Sequence, residues 1–193
     1  MSSRRPAAAG ALRTARGVLA LLFGAGLGLL FLSYGVAVMR VGGDSMAPTL
    51  LPGQVVLSLR PALGRLLFPD RGHQGGDVVV VAVGDPPELL VKRIAATGGQ
   101  TVSLRGGAVW IDGAPLEEAW ARPRSAGAAA YGPEVVPAGR LFVLGDNRLP
   151  LASRDSRSFG SLAEGAVRGR LILLLRSPLD AGRNLRWPFA ALR

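Results

Sequence analysis

The sequence has no cysteine, one histidine and one lysine among its 193 residues. The first absence removes disulfide staples, thiolate metal sites and a cysteine nucleophile together. It does not fix a compartment, because a domain with an adequate core can fold outside the cell without disulfides. The lone His73 lies in Asp70-Arg71-Gly72-His73-Gln74-Gly75-Gly76. That glycine-rich basic loop offers nothing to orient an imidazole for a Ser-His-Asp triad. With one His and no Cys, tetrahedral zinc would depend on carboxylates and water, so no metal site is expected. No Gly-Lys-Ser/Thr phosphate loop occurs, and Gly24, Gly26 and Gly28 fall inside an apolar run, where they make no dinucleotide turn. No cofactor is expected, and no internal repeat is apparent.

Acidic residues are missing from residues 1–40, which carry five arginines; the remainder holds eighteen cations against thirteen acids. Half of the net charge of +10 thus sits beside a hydrophobic segment. Membrane topology calls for such a placement, and no nucleic-acid-binding signature accompanies it. Residues 17–39 are twenty-three in a row without a charge. As a helix they would be about 34 Å long, enough to cross a hydrocarbon core of roughly 30 Å with some tilt. A cleaved secretory signal is the competing reading, but its apolar stretch is usually about 7 to 15 residues. Arg4, Arg5, Arg13 and Arg16 precede the run, so residues 1–16 are expected in the cytoplasm and residues 40–193 on the outer face of the cell membrane. The GxxxG spacing of Gly24 and Gly28 is ordinary for a membrane helix.

Beyond the anchor, short apolar stretches alternate with Gly, Pro and Asp. With 49% of all residues apolar, a core remains available after the anchor has taken its share. Strands are expected at 55–59, 78–83, 89–95, 101–104, 108–111, 141–144 and 167–175, and no long helical period intervenes. The fold class is therefore mainly β, one transmembrane helix followed by a compact all-β domain. A surface excursion is expected near 113–134, rich in Ala, Pro, Gly and Arg. The end of the chain, 176–193, mixes arginines with Trp187, Pro188 and Phe189. It reads equally as a solvated tail or as a segment resting on an acidic membrane surface.

Lys92 is the one cation that can become a base. Twenty-two arginines surround it in composition, and arginine stays protonated in proteins whereas a buried lysine can lose its proton. Its neighbours Leu89-Leu90-Val91 and Ile94-Ala95-Ala96 suit desolvation of an amine. A fall of roughly 3 units from about 10.4 would be needed near neutral pH, on the order of 4 kcal/mol, which burial can supply. Arg93 would point to the opposite face of the same strand. A nucleophile candidate stands in Gly42-Gly43-Asp44-Ser45-Met46-Ala47-Pro48-Thr49-Leu50. Flanking glycines let backbone amides approach a carbonyl, and the Ser45 amide could itself serve an oxyanion hole.

Gly43-Asp44-Ser45-Met46-Ala47-Pro48-Thr49-Leu50 resembles the serine box of type I signal peptidases, Gly76-Asp77-Val78-Val79-Val80 their following strand, and Val91-Lys92-Arg93-Ile94 their lysine box. Gly145-Asp146-Asn147-Arg148 with Ser153-Arg154-Asp155-Ser156-Arg157-Ser158-Phe159-Gly160 resembles the last box. The boxes run in family order over residues 42–160. The resemblance implies a β-rich, cofactor-free Ser/Lys protease that removes signal peptides from exported preproteins through an acyl-enzyme. It implies that Ser45 attacks, Lys92 accepts its proton and Ser153 orients the lysine. Asp155 with Arg157 would brace the site, while Asp146 and Asn147 shape the supporting loop. Read without the family, Asp155 and Arg157 form a structural ion pair. Two features depart from the family: Gly43 stands where some members carry a serine that assists the oxyanion hole, and Leu149-Pro150-Leu151-Ala152 lengthens the last box. A self-cleaving repressor-type protease would carry a DNA-binding domain where the anchor stands. A catalytically inactive membrane-tethered β-domain that binds exported proteins is the alternative from another class.

Overall fold

The computed structural model describes residues 6–118, 120 and 130–175. The tail 176–193 and residues 121–129 of the expected excursion lie outside them. Helix α1 (Pro6–Gly35) leads into eleven strands: β1 (Val36–Arg40), β2 (Val55–Leu59), β3 (Val78–Val83), β4 (Glu88–Thr97), β5 (Thr101–Arg105), β6 (Ala108–Ile111), β7 (Ala114–Pro115), β8 (Tyr131–Val135), β9 (Arg140–Leu144), β10 (Leu162–Ala163) and β11 (Val167–Leu175). Short helices α2 (Pro61–Leu67) and α3 (Ser156–Phe159) interrupt them. The protein is mainly β. A seven-stranded antiparallel sheet has the order β1-β2-β11-β3-β4-β9-β10, and a four-stranded one the order β7-β6-β5-β8.

The apolar run 17–39 is divided between two elements. Its last four residues leave the helix and begin β1, paired with β2 from Val36↔Leu59 to Arg40↔Val55. Val-Ala-Val-Met has the branched, alternating character of a strand, and an available ladder partner outweighs weak helical preference. Gly35 makes the turn possible: its carbonyl accepts from the Arg60 amide at 2.8 Å, and a Cβ there would run into Leu63 of α2. The ends of the expected excursion are strands as well, since β7 pairs with β6 and β8 with β5. Pro115, Gly132 and Pro133 obscured this in the sequence, proline being tolerated mainly on edge strands such as these. Helix α2, only seven residues long, carries too little of a period to be read in advance.

The valine run of β3 is buried on both faces. Val78 and Val80 enter a cluster with Val41, Met46, Leu50, Val56, Leu171 and Leu174, while Val79, Val81 and Val83 pack with Ile94, Leu141 and Val143. Period-two alternation at the centre of a sheet thus gives an unbroken apolar stretch. β4 lies beside β3 with Lys92 opposite Val79 and Arg93 opposite Val78, so the two cations fall on opposite faces of one strand.

Candidate active site

Ser45 sits in the turn that follows β1. Val41 before it and Met46 and Leu50 after it are buried in the core cluster, and the turn is closed by Ala47 N–H to Asp44 O at 2.9 Å and Leu50 N–H to Met46 O at 2.9 Å. The serine is thereby held on a plug of apolar side chains and is itself half-buried. Its own amide makes no hydrogen bond among the described residues. Gly42 and Gly43 are exposed, and a Cβ at either would meet nothing within 4 Å. Position 43 therefore leaves an open approach beside the serine and contributes no side-chain donor.

Lys92 reaches the serine from β4, forty-seven residues away in sequence: its Nζ and Ser45 Oγ are 2.8 Å apart. The residue is 2% exposed, the largest fully buried side chain in the described protein. Burial disfavours the ammonium and lowers its pKa from the ordinary lysine value, against the opposing pull of Asp155, Glu88 and Asp146; Arg157 adds to the lowering. A hydroxyl in contact with an amine of depressed basicity is the arrangement that proton transfer from serine requires.

The loop 145–148 fixes the backbone of this pair. Asn147 N–H donates to Ser45 O at 3.0 Å and Asn147 Nδ2 to Asp44 O at 3.2 Å. Asp146, fully buried, takes Arg93 Nε on Oδ1 at 2.9 Å and Nη2 on Oδ2 at 2.7 Å, and Arg93 Nη1 continues to Gly76 O at 2.8 Å. The Arg93 guanidinium also lies 4.4 Å from the centre of the Trp120 ring. Asp155 accepts Gly145 N–H at 3.1 Å and Arg157 through Nε and Nη2, both at 2.8 Å. Burial alone would raise the Asp155 carboxyl, but Arg157 and the Gly145 amide outweigh it and hold the group below its usual value. Arg148 Nε donates to Gly145 O at 2.7 Å, and its Nη1 and Nη2 grip both oxygens of Glu118.

Ser45, Lys92, Asp146, Asn147, Asp155 and Arg157 are thus brought together around the loop 145–148, each held by its own hydrogen bonds. Ser153 stands beside it without such a bond: its buried Oγ has no hydrogen-bond partner of good geometry, although it lies near enough to Asp155 to help lower that carboxyl. It packs against Gly145. His73 lines a cavity with Arg60 and Arg170, and no hydrogen bond ties it to Ser45. Sequence reasoning missed Arg93 and Glu118 as supports. The available signal was a second cation in the lysine strand and an acidic pair, Glu117-Glu118, closing an otherwise small-residue turn. Among the described residues no group of His, Asp and Glu is placed to hold a metal ion.

Gly145 is where these supports meet. A Cβ on it would lie 2.5 Å from Ser45 O and closer still to Ser153 Oγ. Gly145→Ala is expected to displace the Ser45 backbone and lower kcat about 10²-fold, the scale of a displacement near 1 Å, while overpacking costs roughly 1–3 kcal/mol of stability. Steady-state kinetics on a peptide substrate, together with thermal unfolding, measure the two effects separately. Undiminished kcat would show that this contact does not position the serine.

The family described as "Signal peptidase, peptidase S26" matches residues 14–175. A probable signal peptidase I-1 of Synechocystis sp. is 34% identical over 156 residues, covering 74% of this chain and 73% of that one. Signal peptidase I of Bacillus amyloliquefaciens is 31% identical over 141 residues, with coverage of 67% and 68%. A probable signal peptidase I of Mycobacterium leprae is 44% identical over 84 residues, but these make up 37% of this chain and only 28% of that one.

Proposed function

This chain belongs to the signal peptidase family, peptidase S26, and from that premise we propose that it is a membrane-bound serine endopeptidase removing N-terminal signal peptides from exported preproteins. The observation that carries the chemistry is the 2.8 Å contact between Lys92 Nζ and Ser45 Oγ in a buried setting. Neutral Lys92 takes the Ser45 proton as Oγ attacks the scissile carbonyl, and the Ser45 amide donates to the developing oxyanion. Collapse transfers the proton from Lys92 to the leaving amine, the mature protein departs, and an acyl-enzyme remains. Water, deprotonated by the same amine, attacks the ester, and the amine returns that proton to Ser45 Oγ as the acyl bond breaks and the signal peptide leaves. No metal or organic group enters any step.

Topology supports a route for substrate delivery. β1 is at an edge of the large sheet, and its chain runs through residues 41–44 to Ser45. A preprotein segment adding to that edge as an extended strand would present its carbonyls to the serine, with small residues accommodated in shallow apolar pockets. Thr14–Gly35 of α1 is long and apolar enough to cross a membrane, and arginines on its N-terminal side support a cytoplasmic location for that end and an outer one for the sheets. These features support the membrane reading.

Ser45 can be identified directly. A serine-acylating inhibitor of lysine-dependent proteases is expected to give one covalent adduct, located by mass spectrometry on Ser45 and lost in Ser45→Ala. Continued preprotein cleavage with the adduct elsewhere, or with none, would reject the assignment; absence of both adduct and cleavage would favour the inactive binding domain.

A further inference from the structure

A second basic site lies away from Ser45, at the foot of α1. A cavity of about 260 Å³ opens between α2, the loop after it and β11, and Arg60, Arg65, Arg71 and Arg170 line it with His73 and Glu164. Asp77 holds two of these arginines, Arg71 at 3.1 Å and Arg170 at 3.7 Å. Arg60 and Arg65 pair with no carboxylate among the described residues. Four guanidiniums against Asp77 and Glu164 leave the cavity positive. An arginine-lined hollow of this size suits a phosphate group, which guanidinium donors match in shape and charge.

The surroundings of the cavity decide the source of that phosphate. Leu66, Leu67 and Phe68 continue directly from Arg65 and are 71%, 51% and 45% exposed. Arg170 lies over the Phe68 ring, 5.7 Å from its centre. This apolar edge adjoins α1 itself, through the Arg60 amide on Gly35 O and the packing of Leu63 on Gly35. Exposed Leu, Leu and Phe beside unpaired arginines, next to the end of an apolar helix, is the composition that settles in the headgroup layer of a bilayer.

We propose that this cavity binds the phosphate of an anionic phospholipid headgroup, with Arg60 and Arg65 as its principal contacts and Leu66, Leu67 and Phe68 lodged among the adjoining acyl chains. The inference rests on the reading that α1 spans the membrane. It assigns α2 a role in seating the protein that is independent of Ser45 and Lys92.

The test uses the full chain in a neutral detergent, incubated with equal amounts of phosphatidylglycerol and phosphatidylcholine and analysed by native mass spectrometry. Wild-type protein is expected to retain one phosphatidylglycerol per chain in preference to phosphatidylcholine. Arg60→Gln combined with Arg65→Gln should reduce that preference about ten-fold or more, each cation contributing several-fold, while cleavage of a short soluble peptide continues unchanged. Arg105→Gln, on the second sheet, controls for loss of charge and should behave as wild type. Equal retention of the two lipids by wild type, or an undiminished preference in the double variant, would overturn the proposal. Displacement of the lipid by millimolar inorganic phosphate would overturn it in favour of a free-anion site. Extraction of the chain from membranes by alkaline carbonate would instead defeat the membrane reading, and the headgroup assignment with it.

Discussion

Replacing Lys92 with methionine is expected to lower kcat for preprotein cleavage by about 10² to 10⁴-fold, the usual contribution of a positioned general base, and at the same time to raise the thermal midpoint. Methionine fills a similar volume but cannot accept a proton. Stability should improve because burial has lowered the lysine pKa: the folded state binds fewer protons than the unfolded chain between the lowered value and the ordinary one near 10.4. In that window wild-type stability rises with pH, and methionine is free of the penalty that builds up as pH falls through it. Lys92→Arg should be equally inactive, since its guanidinium stays charged. In wild type, kcat/KM should fall about ten-fold per unit on the acid side of the Lys92 pKa. Glu88 lies near enough to raise that pKa, so Glu88→Gln should move the acid limb to lower pH. Methionine variants that retain turnover, or an acid limb unmoved by Glu88→Gln, would count against Lys92 as the base. A merely structural lysine would lose activity and stability together.

Breaking the Arg93–Asp146 pair is the second large effect. Both side chains are almost wholly shielded, 4% and 0% exposed, and they meet through two parallel hydrogen bonds. Removing one partner strands a buried charge, a loss of about 3–5 kcal/mol, out of a total stability of roughly 5–15 kcal/mol for a domain. Arg93→Ala and Asp146→Ala should each lower the thermal midpoint by roughly 10 °C or more in a domain of this size. The double substitution Arg93→Met with Asp146→Leu should recover most of it, because no unpaired charge remains. Thermal unfolding followed by circular dichroism distinguishes these outcomes. Single variants as stable as wild type would show that the pair is not what fixes the loop. Activity should not return with stability in the double variant, since Asn147 holds the Ser45 carbonyl from that same loop.

Much of this was legible in the sequence because it rests on local signals. The valines of β3 and the alternation of β5 and β6 stand out in a short window, and Lys92 stands out by being the sole lysine. Its contact with Ser45 could be anticipated only through the ordered motifs, since forty-seven residues separate the two. β1 was hidden because its residues are as apolar as the helix they follow, and only pairing with β2 distinguishes them. Arg93 with Asp146 and Glu118 with Arg148 escaped notice for a related reason. Each partner alone looks like a solvated charge, and their burial is a product of topology that no local pattern encodes. For Ser153 the motif implied an orienting hydrogen bond to Lys92, whereas the structure leaves its hydroxyl unpartnered against Gly145.

The passage from α1 to β1 contains no linker. Gly35 ends one element, Val36 begins the next, and five successive residues are then secured to β2. A strand of that length advances about 16 Å, and Ser45 follows after a turn pinned into the core. The height of the nucleophile above the end of the helix is therefore built into the fold as a fixed gauge. On the membrane reading, the enzyme would select its cleavage point partly by depth, accepting the bond that sits at that height when a signal peptide lies in the bilayer.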